Sequence, residues 1–495
     1  MPFGRAGRLK VVRPALSLIF IVSLLYLYRR SAAPLTTWEA TVPLQERQAT
    51  LWQNLLPLLE DHAPLCSPPS RRDSSGAIPY SAIQASPRPD LIVQPEVYQQ
   101  PMQEAHDGFV AAVQTSTTLK SPHIVGTSGI VSSAGKSYLP VFVASLRMLR
   151  RTGSTLPVEL FVKDESEYEK KICEEVLPSL NARCLVLSDI LNNQRDSSVE
   201  IAHYQIKIFA VLFSSFEKVI WIDSDCFPLH DPAELLTADP FASTGLVTFP
   251  DFWASTASPL YFNISRQELP PMSLRASSET GVFLISKRSH FRTLLLAAYY
   301  NYYGPSYYFM LLSQGAPGEG DKETFIHAAS AMNEKFYTVS EPVKPIGHPK
   351  TTQDKISGSA MVQSDPVADY KLTSQNKWRV KDSSVAKAPR AFFIHAHYPK
   401  FNPAEHVFGN TWETAPTLKP DGSDGRAWIV AEETLRRFGY DAEKAYWEEI
   451  KWVSCNLEDA FESWKRKSGI CARVQKYWQT VFAEPHDDDP QFTDD

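Results

Sequence analysis

The sequence predicts an α/β fold in which a mostly parallel sheet carries helices on both faces. Strand-length apolar runs recur at residues 129–132, 158–162, 184–187 and 219–222. Segments of helical period fill the intervals between them, the pattern of strand–helix–strand crossovers. The runs are largely apolar, as expected of strands covered on both sides. Taken in order, 129–132 is a short strand, and Leu139, Phe142, Val143, Leu146 and Leu149 then share one helical face until Gly153 stops the helix. The strand at 158–162 follows, then a polar helix over 166–177 and a strand at 184–187. A helix over 204–214 leads into the very apolar strand 219–222. Further on, 282–286 and 391–395 read as strands. Sheets of this kind bind ligands beyond the carboxyl ends of their strands.

With 495 residues, 43% hydrophobic and 21% charged, the chain is large enough to bury a substantial core. Fifty Lys plus Arg against fifty-six Asp plus Glu give a formal charge of −6, which argues against a nucleic-acid backbone as partner. Six cysteines suit one to three bridges in an oxidising compartment. Cys173 with Cys184 and Cys455 with Cys471 are spaced to close local loops. Residues 15–28 are uncharged and apolar, with Arg5, Arg8, Lys10 and Arg13 before them and Arg29 and Arg30 after. That distribution predicts a single-pass anchor with a cytoplasmic amino end and a luminal remainder; a cleaved signal peptide is the alternative. The expected organisation is a cytoplasmic tail at 1–14, an anchor at 15–30, a Pro-rich stem at 31–107 and a luminal domain at 108–495. Eleven of the 37 prolines fall within 31–101, interrupted by one helix near 44–60.

The sharpest chemical feature is Asp223-Ser224-Asp225 at the end of the apolar strand. A turn there lets both carboxylates converge on a divalent ion such as Mg2+ or Mn2+, which would neutralise a nucleotide diphosphate. The acidic run 487–489 contains another D-x-D with no strand before it. The strand 391–395 ends in His395-Ala396-His397 with Lys400 close behind: a neutral imidazole ligates Mn2+ and an ammonium meets phosphate. Alternation aims His395 and His397 to one side, so the choice between them stays open. Gly318-Glu319-Gly320-Asp321-Lys322-Glu323-Thr324 is a glycine-loosened loop entering a helix, and its carboxylates also suit the helix dipole. Glu279-Thr280-Gly281 reads as a turn before the next strand. Lys207 is either a solvated helical charge or a group near phosphate. Tyr299, Tyr300, Tyr302, Tyr303, Tyr307 and Tyr308 are mainly core, with a minority placed to meet glycan; Trp253 shares that ambiguity. Asn263-Ile264-Ser265 is an N-glycosylation sequon.

The segment KIFAVLFSSFEKVIWIDSDCFPLHDPAELL (207–236) resembles the nucleotide-sugar site of GT-A glycosyltransferases, a Rossmann-type fold, and in particular the fungal MNN-type α-mannosyltransferases of the Golgi. SSAGKSYLPVFVASLRMLRRTGSTLPVELF (132–161), EEVLPSLNARCLVLSDI (174–190), TGLVTFPDFWASTASPLYF (244–262) and LLLAAYYNYYGPSYYFMLLSQGAPGEGDKETF (294–325) carry the same resemblance, which covers about residues 125 to 400. It implies metal-dependent transfer of mannose from GDP-mannose to a mannose-containing glycan with retention, closest to the branch-initiating α-1,2 type, the capping α-1,3 type being the alternative. It also implies attachment to the Golgi membrane and a partner enzyme in a Golgi mannosyltransferase complex. By this resemblance Asp225 and His395 are metal ligands, Asp223 binds metal or ribose, Asp164 meets the nucleoside, and Lys207 and Lys400 lie near the diphosphate. Asp321 contacts donor mannose or positive charge in the transition state, with Glu323 in reserve and Glu279 as a further acidic group. Cys226 stands where relatives often carry a polar residue, which removes it from the ligand set. Retention requires no general base, because the leaving phosphate takes the acceptor proton. Two other classes fit less well. A noncatalytic lectin has no need of the intact acidic set, and a glycosidase needs carboxylates roughly 5–10 Å apart flanking a sugar.

Overall fold

The computed structural model describes residues 42–84, 86–191, 200–350, 353–409, 415–428 and 432–483. The expected cytoplasmic tail, the anchor at 15–30 and the acidic run 487–489 lie outside the described residues. No helix among the described residues is long and apolar enough to cross a membrane.

Among the described residues, eleven strands form two sheets. The larger has seven strands in the order β3-β2-β1-β4-β7-β6-β8, made of β1 (Ile124–Ser133), β2 (Val158–Val162), β3 (Ala182–Val186), β4 (Phe216–Ile222), β6 (Leu246–Ala254), β7 (Ala276–Ser286) and β8 (Tyr337–Thr338). Pairings are parallel except that β7 runs against both of its neighbours, β4 and β6. The smaller sheet has the order β5-β11-β10-β9, from β5 (Cys226–Pro228), β9 (Lys344–Lys350), β10 (Gln353–Ser364) and β11 (Ala391–His395), all antiparallel.

Alternate residues of the central strands feed two separate cores, because side chains of a strand point in turn to opposite faces. Ile220 and Ile222 of β4 and Val282 and Leu284 of β7 join one core with the helices Leu139–Arg151, Ala442–Leu457 and Ile470–Trp478. Val219, Trp221, Phe283 and Ile285 join the other, under the helices Leu44–Asp61, Pro95–Thr115, Gln205–Phe213 and Lys287–Tyr302. This is the mostly parallel, doubly covered sheet the sequence predicts, and the strands at 158–162 and 391–395 match it residue for residue.

Three expectations need correction. The polar helix over 166–177 is broken into a turn at Glu165–Glu167, a wide turn at Ile172–Val176 and a short helix at Leu177–Ser179. Pro178 and the Cys173–Cys184 bridge constrain that stretch. The 31–107 stem is not a spacer from residue 42 onward. Leu51, Trp52, Leu55, Leu56 and Leu59 of the first helix are buried in the second core, and Gly108 abuts His62 so closely that a Cβ would lie 2.5 Å from the ring. Finally, Glu279-Thr280-Gly281 lies inside β7 rather than in a turn before it. The Cys455–Cys471 bridge forms as expected.

Candidate active site

The site is built where the chain leaves the large sheet for the small one. β4 ends at Ile222, and Asp223, Ser224 and Asp225 make a tight turn closed by the Cys226 N–H donating to the Asp223 carbonyl (3.0 Å) before β5 begins. Two flanking strands then fix what lies beside that turn. β11 pairs with β5 so that His395 stands opposite Cys226, and the Ala396 N–H donates to the Asp225 carbonyl (2.8 Å). On the other side β7 pairs with β4 up to Ile222↔Val282, and the Asp223 N–H donates to the Gly281 carbonyl (2.8 Å). Backbone register alone thus brings residues from three distant segments together.

Ligand atoms of Asp223, Asp225 and His395 all lie within 4.8 Å of one another. His395 Nε2 is 3.1 Å from Asp225 Oδ1, and its Nδ1 is 3.1 Å from Glu279 Oε1. Lys400 Nζ ion-pairs with the other Asp225 oxygen. Lys207 Nζ lies 3.3 Å from both Asp223 and Asp321 and donates to the carbonyl (2.7 Å) and hydroxyl (3.1 Å) of Thr280. Trp221 Nε1 donates to Asp223 Oδ1 (2.7 Å). The structure therefore gathers seven predicted residues, Asp223, Asp225, His395, Lys400, Lys207, Asp321 and Glu279, and of the two histidines it is His395 that stands among them. His397 Nδ1 only meets the backbone carbonyl of His395, at 3.2 Å. Lys207 is buried among carboxylates rather than solvated.

Electrostatics follow from the packing. Burial opposes the charge on Asp225, yet His395 and Lys400 outweigh it and hold the carboxyl far below its usual range. Burial likewise opposes charge on His395, but Asp225 and Glu279 push it up to about 10. The burial cost on Lys207 is overcome by Asp223, Asp321 and Glu279, so its ammonium is kept. Burial raises Asp321, with Lys207 opposing. Cys226 is a packed thiol raised by burial.

The residue types fit a divalent cation. Two carboxylates and an imidazole form a donor set suited to a divalent cation. Glu279 Oε2 is buried without a hydrogen-bond partner, so the carboxylate keeps one acceptor oxygen unused.

Two predicted residues stand elsewhere. Asp164 follows β2 as expected, but its carboxylate caps the turn at Glu165–Glu167, accepting from Ser166 N (2.9 Å) and Oγ (2.5 Å), and no bond links it to the cluster among the described residues. Glu323 is a correction. It is 1% exposed and saturated: Oε1 accepts from Ser277 Oγ (3.0 Å) and Ser278 N (2.6 Å), and Oε2 from Ser255 Oγ (2.9 Å), Arg275 Nη2 (2.9 Å) and His327 Nε2 (3.2 Å). No lone pair is left for substrate, so it positions the loop that carries Asp321.

The structure adds groups that no local pattern announces. Lys322 Nζ bridges Asp251 Oδ2 (2.9 Å) and the Pro317 carbonyl (2.7 Å), tying the Asp321 loop to β6. The ring of Tyr138, 45% exposed, lies 5.5 Å from Lys400 Nζ, and Tyr204, 57% exposed, covers Gly320 beside Asp321. Both aromatics lie in or beside the segments that carry the resemblance, and that proximity was the available signal. Most of the 299–308 tyrosines are core, as expected, with Tyr299, Tyr300 and Tyr308 fully buried. Asn263 of the sequon is exposed on the helix Pro259–Ile264.

A mixed sheet whose central strand ends in paired carboxylates, with a second sheet laying a histidine against them, defines a GT-A-like α/β protein. Comparison with known proteins then fixes the family. A family described as "Mannosyltransferase putative" matches residues 127–275 and 272–365. The α-1,2-mannosyltransferase MNN2 of Saccharomyces cerevisiae is 30% identical over 443 residues, covering 74% of this chain and 72% of that protein. The α-1,2-mannosyltransferase MNN21 of Candida albicans is 33% identical over 411 residues, 71% of this chain, and the match spans 61% of the Candida protein's length. The chain belongs to this fungal MNN2-type mannosyltransferase family. Among solved structures, the glycosyltransferase GlyE of Streptococcus pneumoniae matches at 12% identity and TM-score 0.32, over 67% of this chain and 64% of that one.

Proposed function

We propose that the chain transfers mannose from GDP-mannose to a mannose-containing glycan in α-1,2 linkage with retention, in the Golgi lumen, using Mn2+ or a similar cation. The observation that carries the reading is the convergence of Asp223, Asp225 and His395 at the end of the central strand; the names of the relatives supply the sugar and the linkage. Residues 15–30 would tether it to the membrane.

A cation held by Asp223, Asp225 and His395 would supply charge neutralisation for the departing diphosphate. The chain's own residues do the rest. Lys400 adds a positive charge beside Asp225, placed to meet phosphate oxygens when they enter. Lys207 stands between Asp223 and Asp321, 3.3 Å from each, and its ammonium opposes the rise that burial imposes on the Asp321 carboxyl. Asp321 would then serve as an acceptor for a sugar hydroxyl and a counter-charge for the oxocarbenium-like sugar. The Asp251–Lys322 tie and the Glu323–Arg275 pair hold its loop in place.

The test is a panel of sugar nucleotides offered to the purified protein with a mannoside acceptor, with and without chelator, beside Asp225→Asn. Transfer is expected from GDP-mannose alone, abolished by chelator and lowered on the order of 10²–10³-fold in the variant, with the product α-1,2 by linkage analysis. Undiminished transfer under chelator and in the variant would remove the metal site from the reaction.

A further inference from the structure

A histidine presents one ring nitrogen reliably only when the other is held. Glu279 holds it here. Its Oε1 accepts from the Gly281 N–H at 2.6 Å and lies 3.1 Å from His395 Nδ1, while His395 Nε2 is turned onto Asp225. Glu279 is itself 8% exposed and anchored in the long strand β7, so its carboxylate has little freedom to move. Gly281 supplies a second, independent observation. A Cβ at that position would stand 2.4 Å from His395 Nδ1 and 2.9 Å from Glu279 Oε1, so only glycine leaves the space through which the ring reaches its holder.

We infer that Glu279 is a positioning residue, accepting the Nδ1–H of His395 so that the Nε2 lone pair faces the cation site formed with Asp223 and Asp225. Glu279 thus belongs beside the metal site rather than among groups that touch the sugar. The neighbouring residues extend the same role. Gly281 takes the Asp223 N–H on its carbonyl, and Thr280 takes Lys207. One three-residue stretch of β7 therefore sets the orientation of His395, Asp223 and Lys207 together. The inference rests on the metal-site reading given above.

Binding of Mn2+ alone, followed by the loss of the free-ion signal in electron paramagnetic resonance, separates the two. The full chain is compared with Asp225→Asn, Glu279→Gln, Glu279→Ala and Gly281→Ala, each checked for its fold by circular dichroism and thermal melting. Glu279→Gln keeps an oxygen that accepts from both Gly281 and His395, and its affinity is expected within about threefold of the native value. Glu279→Ala frees the ring and is expected to bind Mn2+ about 10- to 100-fold more weakly. Gly281→Ala, which keeps Glu279 but crowds the imidazole, is expected to weaken binding as well, and it carries the test if Glu279→Ala does not fold. Native affinity in Glu279→Ala or Gly281→Ala, with Asp225→Asn defective, overturns the positioning role and leaves the metal site standing. A Gln variant as weak as the Ala variant also overturns it, because charge rather than orientation would then matter. If the native chain binds no Mn2+, the metal-site reading itself falls.

Discussion

Lys287 shows at single-residue scale how this fold treats charge away from its site. It opens the helix Lys287–Tyr302, is 1% exposed, and donates to the carbonyls of Leu212 (3.0 Å) and Ser214 (2.6 Å) at the end of the helix Gln205–Phe213. Burial lowers its ammonium to about 7, and the distant charge of Glu159 compensates only in part. The unfolded chain, with an ordinary lysine near 10.4, therefore binds more protons than the folded one between those two values. Stability held through this group is full above the unfolded value and falls away as pH drops toward 7. In urea titrations the native chain is expected to gain on Lys287→Met between pH 7 and pH 10, against a constant loss of about 1–3 kcal/mol for the two abandoned carbonyls. A difference that does not change with pH would show that the lysine stays charged when folded. The contrast with Lys207 is instructive, since three carboxylates there reverse the effect of equal burial. Neither outcome is legible in sequence, where both are lone lysines on helices. Asp223, Asp225 and His395 are legible, because each ends an apolar run and a strand end is where open-sheet sites form. The pairs Lys322–Asp251 and Arg275–Glu323 join residues 71 and 48 apart and leave no local period to read.

Among elements, the loop from Gly315 to Glu323 carries Asp321 with no regular structure of its own, so its shape depends on ties made outside it. Arg71 pairs with Glu319 (2.6 Å), Lys322 with Asp251, and Arg275 with Glu323. Glu323 is the most buried of these six groups, and removing it strands the charge of Arg275. Glu323→Ala is expected to cost roughly 3–5 kcal/mol of unfolding free energy, measured by chemical denaturation. A loss below about 0.5 kcal/mol, the size of a neutral surface change, would remove Glu323 from this structural role. The sign with pH is also set. Burial opposes the charge on Glu323 but Arg275 and His327 outweigh it, so its carboxyl lies well below the ordinary range, and the stability it contributes is lost as pH falls below that range. Elements whose pattern is mostly hydrophobic, such as β2 and β11, are legible to the residue. β7 is legible only in its second half, because Glu279 and Gly281 are weak strand formers and the pairing with β6 shifts register between Thr248 and Phe249.

At the scale of the molecule, the decisive feature is that the segment 42–115 packs into the same core as the sheet that carries the site. Proline density makes 31–107 read as a spacer, and the Pro-rich stretch is indeed extended, but it is stitched down. Tyr299, Tyr303 and Tyr307 donate their hydroxyls to the carbonyls of His62, Leu59 and Cys66 at 2.9, 2.7 and 2.7 Å. Arg88 donates to the carbonyls of Ser255, Ala257 and Pro270 at 3.0, 2.9 and 2.9 Å. Gln314 clamps the same stretch through the Pro89 carbonyl (2.8 Å) and the Leu91 N–H (2.8 Å). Tyrosine and arginine reveal such roles only when their distant partners are known, which is why the segment cannot be placed from its own composition. Energetically the first helix matters most. It buries Leu51, Trp52, Leu55, Leu56 and Leu59, and each fully buried side chain of this size contributes about 1.5–3 kcal/mol. Five such residues rival the roughly 5–15 kcal/mol that holds a whole domain together. A chain shortened to begin at residue 95 is therefore expected to lose its cooperative thermal transition and to expose the apolar floor formed by Phe209, Phe213 and Tyr299, visible as dye binding, whereas one beginning at residue 42 melts in a single step. Equal melting of the two shortened chains would restore the spacer reading and make the first helix an appendage.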